Sequence, residues 1–318
     1  MGELAALLSA LTWSGTSVAL TSLSARTSPV ALSALRLAAG TIVLCLLVVV
    51  VGAADDVADA SAANLAAIIG SGLIGYGLGD TLYIRTLALL GMQRTFTISM
   101  SLFIALTVGG GVLLLDEPFK WGLVAGGLLI AAGTYLIVVR RGRAAAAAVV
   151  FAADAAETAG AALPPTPARP TPAARLRALE GYFLLLAVGI AWAAATLWLA
   201  GGRGEVGAIA TGALRAPAGA VALLGFGLAT QRHNITAPFH DKRHIGAIVA
   251  AGIVGTAFGS LLYVYAVLEA GAARTVLLSA TAPLMGLPLS IIFLREAFTA
   301  RVASGTALCT AGILLIVV

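Results

Sequence analysis

Residues 72–95 read GLIGYGLGDTLYIRTLALLGMQRT, and residues 252–275 read GIVGTAFGSLLYVYAVLEAGAART. The two stretches share four glycines at matching positions and one tyrosine, Tyr83 in the first and Tyr263 in the second. The similarity extends beyond them, because a shift of 179 residues superposes three further pairs: Trp13 on Trp192, Arg36 on Arg215, and Glu117 on Glu296. The two halves of the chain are therefore copies of one unit, and this repeat decides the fold.

The composition is that of a membrane protein. Hydrophobic residues make up 60% of the chain, charged residues 10%, and the mean hydropathy is +1.02, whereas soluble domains are about one-quarter charged. A helix needs about 20 apolar residues to cross a bilayer. Ten apolar runs of suitable length occur, near residues 2–23, 28–52, 64–89, 94–115, 119–139, 180–200, 206–229, 245–268, 274–294 and 299–318. We therefore predict an all-α integral membrane protein with ten transmembrane helices.

A linker divides the chain into two five-helix repeats. Residues 141–178 are rich in alanine, proline and arginine, as is typical of a linker, and they separate a first repeat at 1–140 from a second at 179–318. Because five is an odd number, the second copy enters the membrane from the opposite face, so that the repeat is inverted. An inverted repeat around a central cavity is the architecture of secondary transporters.

The basic residues indicate the orientation of the chain. Of the 19 Lys and Arg residues, thirteen lie in odd-numbered connections between spans and three in even-numbered ones. Under the positive-inside rule, the linker is cytoplasmic and both termini are outside. Since these cations lie at helix ends and in connections, a membrane surface explains the net charge of +5, and we predict no nucleic-acid partner. We expect a multi-pass protein of a prokaryotic plasma (inner) membrane, surrounded by lipid.

Asp80 is the strongest candidate for a functional residue inside a span, because an ionisable group there is costly unless it has a partner or water. Helical spacing puts Tyr76 at i−4 and Tyr83 at i+3 on the face of Asp80. The carboxylate could bind a substrate amine or couple transport to protons. The alternative is a structural ion pair with Arg36 or Arg85.

Two arginines lie in apolar segments at equivalent positions of the repeat, Arg36 in ALRLAAG and Arg215 in ALRAPAG. Because they are one feature copied, we interpret them as symmetric structural or gating residues, with direct substrate contact as the alternative. Trp13 and Trp192 lie about ten residues into their spans, too deep for an interfacial belt. Either cavity lining or packing would explain them.

The sequence gives no indication of an enzyme. The three histidines lie within residues 231–244, where Pro238 argues against the helical spacing that a metal site would need. No phosphate-binding loop, nucleophile elbow or HExxH motif occurs. We therefore predict no catalytic residue, no metal site and no cofactor.

Several motifs together resemble the EamA-like members of the drug/metabolite transporter superfamily. They are ALTWSGTS in the first helix, the arginine of the second helix, and the turns LLLDEPF and IFLREAF, which carry Glu117 and Glu296. The glycine usual before this turn glutamate is replaced by Asp116 in one half and by Arg295 in the other. The resemblance implies ten helices around a cavity lined by the first, third and fourth helices of each half. On that basis the cavity candidates are Trp13, Tyr76, Asp80, Tyr83, Ser101, Trp192, Tyr263 and Thr281.

The resemblance implies a secondary transporter of small polar metabolites, such as amino acids, that works by alternating access. One alternative is a non-transporting receptor or scaffold with the same fold. Another is a multidrug exporter, although the first helix has no acidic residue after Glu3 and aromatic residues make up only 6% of the chain. We favour the metabolite transporter.

Overall fold

A computed structural model describes residues 1–90, 92–133, 135–136, 172–282 and 300–317 of the chain. All regular secondary structure in these residues is helical, as the composition predicts. The main helices are α1 (Gly2–Leu23), α2 (Pro29–Val51), α3 (Ala62–Leu90), α4 (Met92–Leu114), α5 (Trp121–Gly133), α6 (Pro172–Gly202), α7 (Ala208–Thr230), α8 (Lys242–Ala270), α9 (Ala272–Ser279) and α10 (Ala300–Val317).

Six of these helices are long and apolar enough to cross a membrane, namely α1, α2, α3, α6, α7 and α8. Three shorter apolar helices lie at Ile98–Leu114 within α4, in α5, and at Ser304–Ile316 within α10. For α9 only Ala272–Ser279 belongs to the described residues. The predicted all-α class is thus confirmed over the described part of the chain, whereas the count of ten spans stays a prediction.

The third helix of each half contains π-helical turns at equivalent positions. They cover Leu73–Gly79 in α3 and Gly252–Gly259 in α8, with α-helix before and after. A π turn holds more residues than an α turn, so it changes which side chains share a face, and such turns are frequent at functional sites. Both halves therefore carry the same local irregularity in the same helix.

Glycines bring these helices unusually close to the second helix of the other half. A Cβ atom on Gly72 would lie 2.2 Å from the carbonyl oxygen of Arg215, and one on Gly252 would lie 2.3 Å from the carbonyl oxygen of Arg36. Real Cβ atoms do not approach an oxygen so closely, so only glycine fits at either position. The repeat explains why the same contact occurs twice.

The hydrophobic core lies largely between the two halves. Helix α3 packs on α6 and α7, α8 packs on α1 and α2, and α2 packs on α7. The largest core cluster combines buried apolar residues from both copies, including Leu32, Leu37, Ile84, Val188, Leu223 and Ile248. Dispersion contacts between closely packed helices are the main source of stability in a bilayer. Each half therefore depends on the other to bury the apolar side chains of this core.

The connections between helices meet in two separate groups. The α1–α2 connection contacts the α7–α8 connection through Arg26 and Asp241, whose Nη2 and Oδ2 atoms are 3.2 Å apart. The α2–α3 connection lies against the α6–α7 connection, because a Cβ atom on Gly207 would lie 2.6 Å from Oδ2 of Asp56. Beside them, Nδ2 of Asn64 at the start of α3 donates to the carbonyl of Gly202 at the end of α6 at 3.0 Å. Odd-numbered connections thus contact odd-numbered ones, and even-numbered connections contact even-numbered ones.

Candidate functional site

A cavity of about 100 Å³ lies between the two halves. Residues of the first four helices of each half line it, α1 to α4 and α6 to α9. Six of the eight sequence candidates are among them, Trp13, Tyr76, Asp80, Tyr83, Trp192 and Tyr263, and so are Arg36 and Arg215. The second helix of each half therefore contributes to the wall through its arginine, in addition to the first, third and fourth helices that the resemblance implies.

Two cavity candidates are not among these lining residues. Thr281 is fully buried beyond the end of α9 and does not line the cavity, because its hydroxyl donates to the carbonyl of Leu278 at 2.7 Å. Ser279, two residues earlier, lines the cavity instead. The side chain of Ser101 and the whole of Glu296 lie outside the described residues.

Asp80 is held by donors from both halves. Nη2 of Arg36 donates to its Oδ2 at 2.5 Å, and the indole Nε1 of Trp192 donates to its Oδ1 at 2.9 Å. Arg36 also donates from Nη1 to the hydroxyl of Thr256 at 3.2 Å. Arg36 and Asp80 are each 5% exposed. The two charges compensate each other, as buried charges must. Of the two alternatives for an Asp80 ion pair, the partner is thus Arg36, since Arg85 pairs with Glu180 at an exposed position.

Arg215 occupies the equivalent position in the second half but has different partners. Its Nε donates to the hydroxyl of Ser71 at 2.9 Å, and its Nη1 donates to the hydroxyl of Tyr76 at 3.2 Å. The guanidinium carbon also lies 4.6 Å from the centre of the Tyr76 ring. Within the described ranges no carboxylate lies within 4.0 Å of Arg215. The residue equivalent to Asp80 is Ser260, whose hydroxyl donates to the carbonyl of Thr256.

Aromatic rings form one wall of the cavity. The ring centres of Trp13 and Trp192 are 5.2 Å apart in an edge-to-face arrangement, and the ring of Tyr83 lies 5.1 Å from Trp192. Phe103 completes the cluster at 5.8 Å from Trp192. The buried Nε1 of Trp13 has no hydrogen-bond partner among the described residues. Such rings offer apolar surface to a ligand, and the free N–H is a donor for an oxygen atom.

The sequence profile of the EamA-like transporter family matches residues 1–139 and again residues 179–318. The chain belongs to the EamA-like transporter family. This confirms both the resemblance and the two family repeats, and it makes the chain a multi-pass integral membrane protein of a transporter family.

The fold of this EamA-like chain also matches a solved structure described only as "Crystal structure of protein". The TM-score is 0.70, the sequences are 21% identical, and the match covers 99% of this chain and 94% of the other. At this identity the match shows the fold alone. No curated protein matches the chain.

The turn glutamate of the first EamA repeat caps a helix of the second. The carboxylate of Glu117 accepts the backbone N–H groups of Ala272 and Ala273, at 2.7 and 3.1 Å, at the start of α9. Free N–H groups and the helix dipole favour a negative charge at this position. The preceding residue, Asp116, has a φ of 52°, which explains why the family usually has glycine there.

Three residues of the site had no place in the sequence prediction. Thr196 bonds to Tyr263 through hydroxyl groups 3.0 Å apart, Thr256 accepts from Arg36, and Ser71 accepts from Arg215. The repeat offered a signal for Thr256, since it is the counterpart of Tyr76, and each accepts from the arginine of the other half. Thr196 lies one helical turn after Trp192. Nothing in the sequence pointed to Ser71.

Proposed function

We propose that this chain is a secondary transporter that carries small polar metabolites, such as amino acids, across a prokaryotic plasma (inner) membrane by alternating access. The observation that carries this proposal is the cavity between the two halves, which buries three charged residues, Arg36, Asp80 and Arg215. Buried charges in a membrane protein are costly, and they mark substrate and ion pathways. The membership in a transporter family agrees with this function.

Alternating access requires two halves that exchange roles, as an inverted repeat does. The contacts between connections support this topology, because odd-numbered and even-numbered connections form separate groups. That pattern is expected when each half has five spans and the second enters from the opposite face. The distribution of basic residues supports a cytoplasmic linker with both termini outside.

Proton coupling through Asp80 is the second step of the proposal. Its carboxylate joins Arg36 of the first half to Trp192 of the second. Adding a proton would remove the charge that holds Arg36 and would weaken the hydrogen bond from Trp192, which joins the two halves at Asp80. The same change would let Arg36 contact a substrate anion.

The test is solute transport by purified protein in proteoliposomes with an imposed proton gradient. We expect uptake of some small polar solute, and loss of its proton dependence in Asp80→Asn. Asp80→Asn alone leaves the charge of Arg36 unpaired. The double variant Arg36→Gln/Asp80→Asn is therefore tested beside it, because it removes both charges and leaves the net charge of the cavity unchanged. Arg85→Gln, which changes an exposed arginine outside the cavity, is the control. Proton-driven uptake that persists in a folded Asp80 variant would refute the coupling.

The rival functions predict other results. A receptor or scaffold would move no solute. A multidrug exporter would carry lipophilic cations, but the charged lining residues are two arginines and one aspartate, and this net positive charge repels cations. An enzyme is disfavoured as well, because the family is one of transporters.

A further inference from the structure

The two arginines of the cavity differ in how their charge is balanced. Arg36 lies against the carboxylate of Asp80, whereas the counterpart of that aspartate in the second half is Ser260. Among the described residues, Arg215 donates to two hydroxyl groups, those of Ser71 and Tyr76, and to no carboxylate. The repeat puts the two arginines at equivalent positions. The second half therefore lacks the carboxylate that balances the arginine of the first half.

Arg215 is 3% exposed and lines the cavity. Its Nε and Nη1 atoms have partners, but for Nη2 none is found in the described part of the chain. This atom faces Gly75, where a Cβ atom would lie 3.3 Å from it. A side chain at position 75 would therefore crowd Nη2, and glycine avoids that contact. A buried guanidinium without an anion is costly, and a bound anion would remove that cost.

The charged residues among the described lining residues carry a net charge of +1, because the pair of Arg36 and Asp80 cancels and Arg215 remains. Asp80, the one carboxylate among these described residues, is already occupied by Arg36 and Trp192. A substrate ammonium group would thus find no free anion. This charge balance favours a ligand with one negative charge over a zwitterion or a cation.

The rest of the wall suits an apolar body of limited size. Trp13, Tyr83 and Phe103 present aromatic surface, and Met100 adds a thioether side chain. An apolar cavity of about 150 Å³ holds benzene, and this one measures about 100 Å³. It therefore favours a ligand whose apolar body is small.

We propose that the cavity binds a small organic monoanion, whose carboxylate accepts from Nη2 of Arg215 and whose apolar body lies against the aromatic wall. This inference rests on the proposed transport function and names its substrate class. Among small polar metabolites it favours a carboxylate without an amine over an amino acid. The carboxylate has a partner in Arg215, whereas no free carboxylate among the described lining residues would pair with the amine.

Three ligands with the same branched apolar end test the charge preference, namely isovalerate, valine and isobutylamine. They carry the carboxylate alone, the carboxylate with an amine, and the amine alone. Calorimetric titration of the purified full chain in detergent is expected to give the tightest binding for isovalerate and the weakest for isobutylamine. Equal affinity for all three, or no binding of isovalerate at millimolar concentrations, would overturn the proposal.

Variants test the role of Arg215. Hydrogen bonds to charged groups contribute enough that Arg215→Gln should weaken isovalerate binding about ten- to a hundredfold, with partial recovery in Arg215→Lys. The decisive variant is Ser260→Asp, which restores the carboxylate that the first half has. It should abolish isovalerate binding while the melting temperature stays the same or rises, a result that misfolding cannot produce. Unchanged binding in a folded Ser260→Asp or Arg215→Gln protein would refute the site.

The transport function is scored separately, by flux of labelled isovalerate in proteoliposomes. Binding without flux would refute the transporter and leave the anion site standing. Flux of some other solute, without any preference for isovalerate in the titration, would refute the anion site and leave the transporter standing.

Discussion

The guanidinium of Arg36 and the carboxylate of Asp80 form an ion pair with a 2.5 Å contact, and both residues are 5% exposed. They belong to neighbouring helices of the first half, α2 and α3. Trp192 and Thr256, which both come from the second half, bind the same pair. The two halves of the bundle are therefore joined at the cavity by a charged cluster, where an apolar contact would be less costly.

Breaking this pair from one side should destabilise the protein strongly. Removing one partner of a buried ion pair costs about 3–5 kcal/mol, because the other charge is left unpaired. We expect Asp80→Asn and Arg36→Gln each to lower the free energy of unfolding by about this amount, and the double variant to lose less than the sum. The measurement is thermal unfolding in detergent; additive losses would mean that the two residues are not coupled.

Adding a methyl group at the close helix contacts should disrupt the packing of the two halves. Gly72→Ala would direct a Cβ atom at the carbonyl of Arg215, and Gly252→Ala would direct one at the carbonyl of Arg36. Overpacking of this kind costs about 1–3 kcal/mol or more. The control is Gly15→Ala in α1, where a Cβ atom meets nothing within 4 Å. If all three variants melt at the same temperature, the described approach of the helices is wrong.

Replacing Asp116 by glycine should stabilise the turn that holds Glu117. Asp116 has a left-handed backbone with a φ of 52°, which costs a residue with a side chain roughly 1–2 kcal/mol at most. We expect Asp116→Gly to raise the melting temperature and Asp116→Val, with its branched side chain, to lower it. The opposite order would contradict the described turn.

The connection at Asp241 should make stability depend on pH in the acid range. The backbone N–H of His244, with further donors on Arg243 and Arg26, holds the pKa of Asp241 below its usual value. Since the folded pKa is the lower one, the stabilisation is complete above the unfolded pKa of about 4 and is lost as the pH falls through the folded pKa.

We therefore expect Asp241→Ala to lower the melting temperature at neutral pH. The difference in melting temperature between wild type and this variant should become smaller as the pH falls. The exposed acid Asp59 provides the matched control, Asp59→Ala. A gap between wild type and Asp241→Ala that stays constant with pH would contradict the role of the carboxylate charge.

The apolar runs were sufficient to predict the helical class, and the motifs that resemble the EamA-like transporters predicted the family. That resemblance also implied the cavity candidates, of which Trp13, Tyr83, Trp192 and Tyr263 line the cavity. Apolar runs and short motifs are local properties of the chain, and they can be recognised without knowing which helices meet.

The partners of the charged residues could not be predicted in the same way. Helical spacing put Tyr76 on the face of Asp80, but π turns lie between them, and Tyr76 binds Arg215 while Asp80 binds Arg36. Such pairs depend on which helices of the two halves meet, and spacing within one helix carries no information about that. We also interpreted Arg36 and Arg215 as equivalent. They differ because Ser260 takes the place of Asp80 in the second half, so Arg215 lacks the carboxylate that pairs with Arg36.

The central claim is that the cavity opens to each side of the membrane in turn. A cysteine at Thr196, a buried cavity residue, reports this directly when Cys45 and Cys309 are replaced by serine. A membrane-impermeant thiol reagent is applied to right-side-out and to inside-out vesicles. We expect Thr196→Cys to be labelled from both sides, and isovalerate to slow the labelling. Labelling from one side only, under all conditions, would contradict alternating access through this cavity.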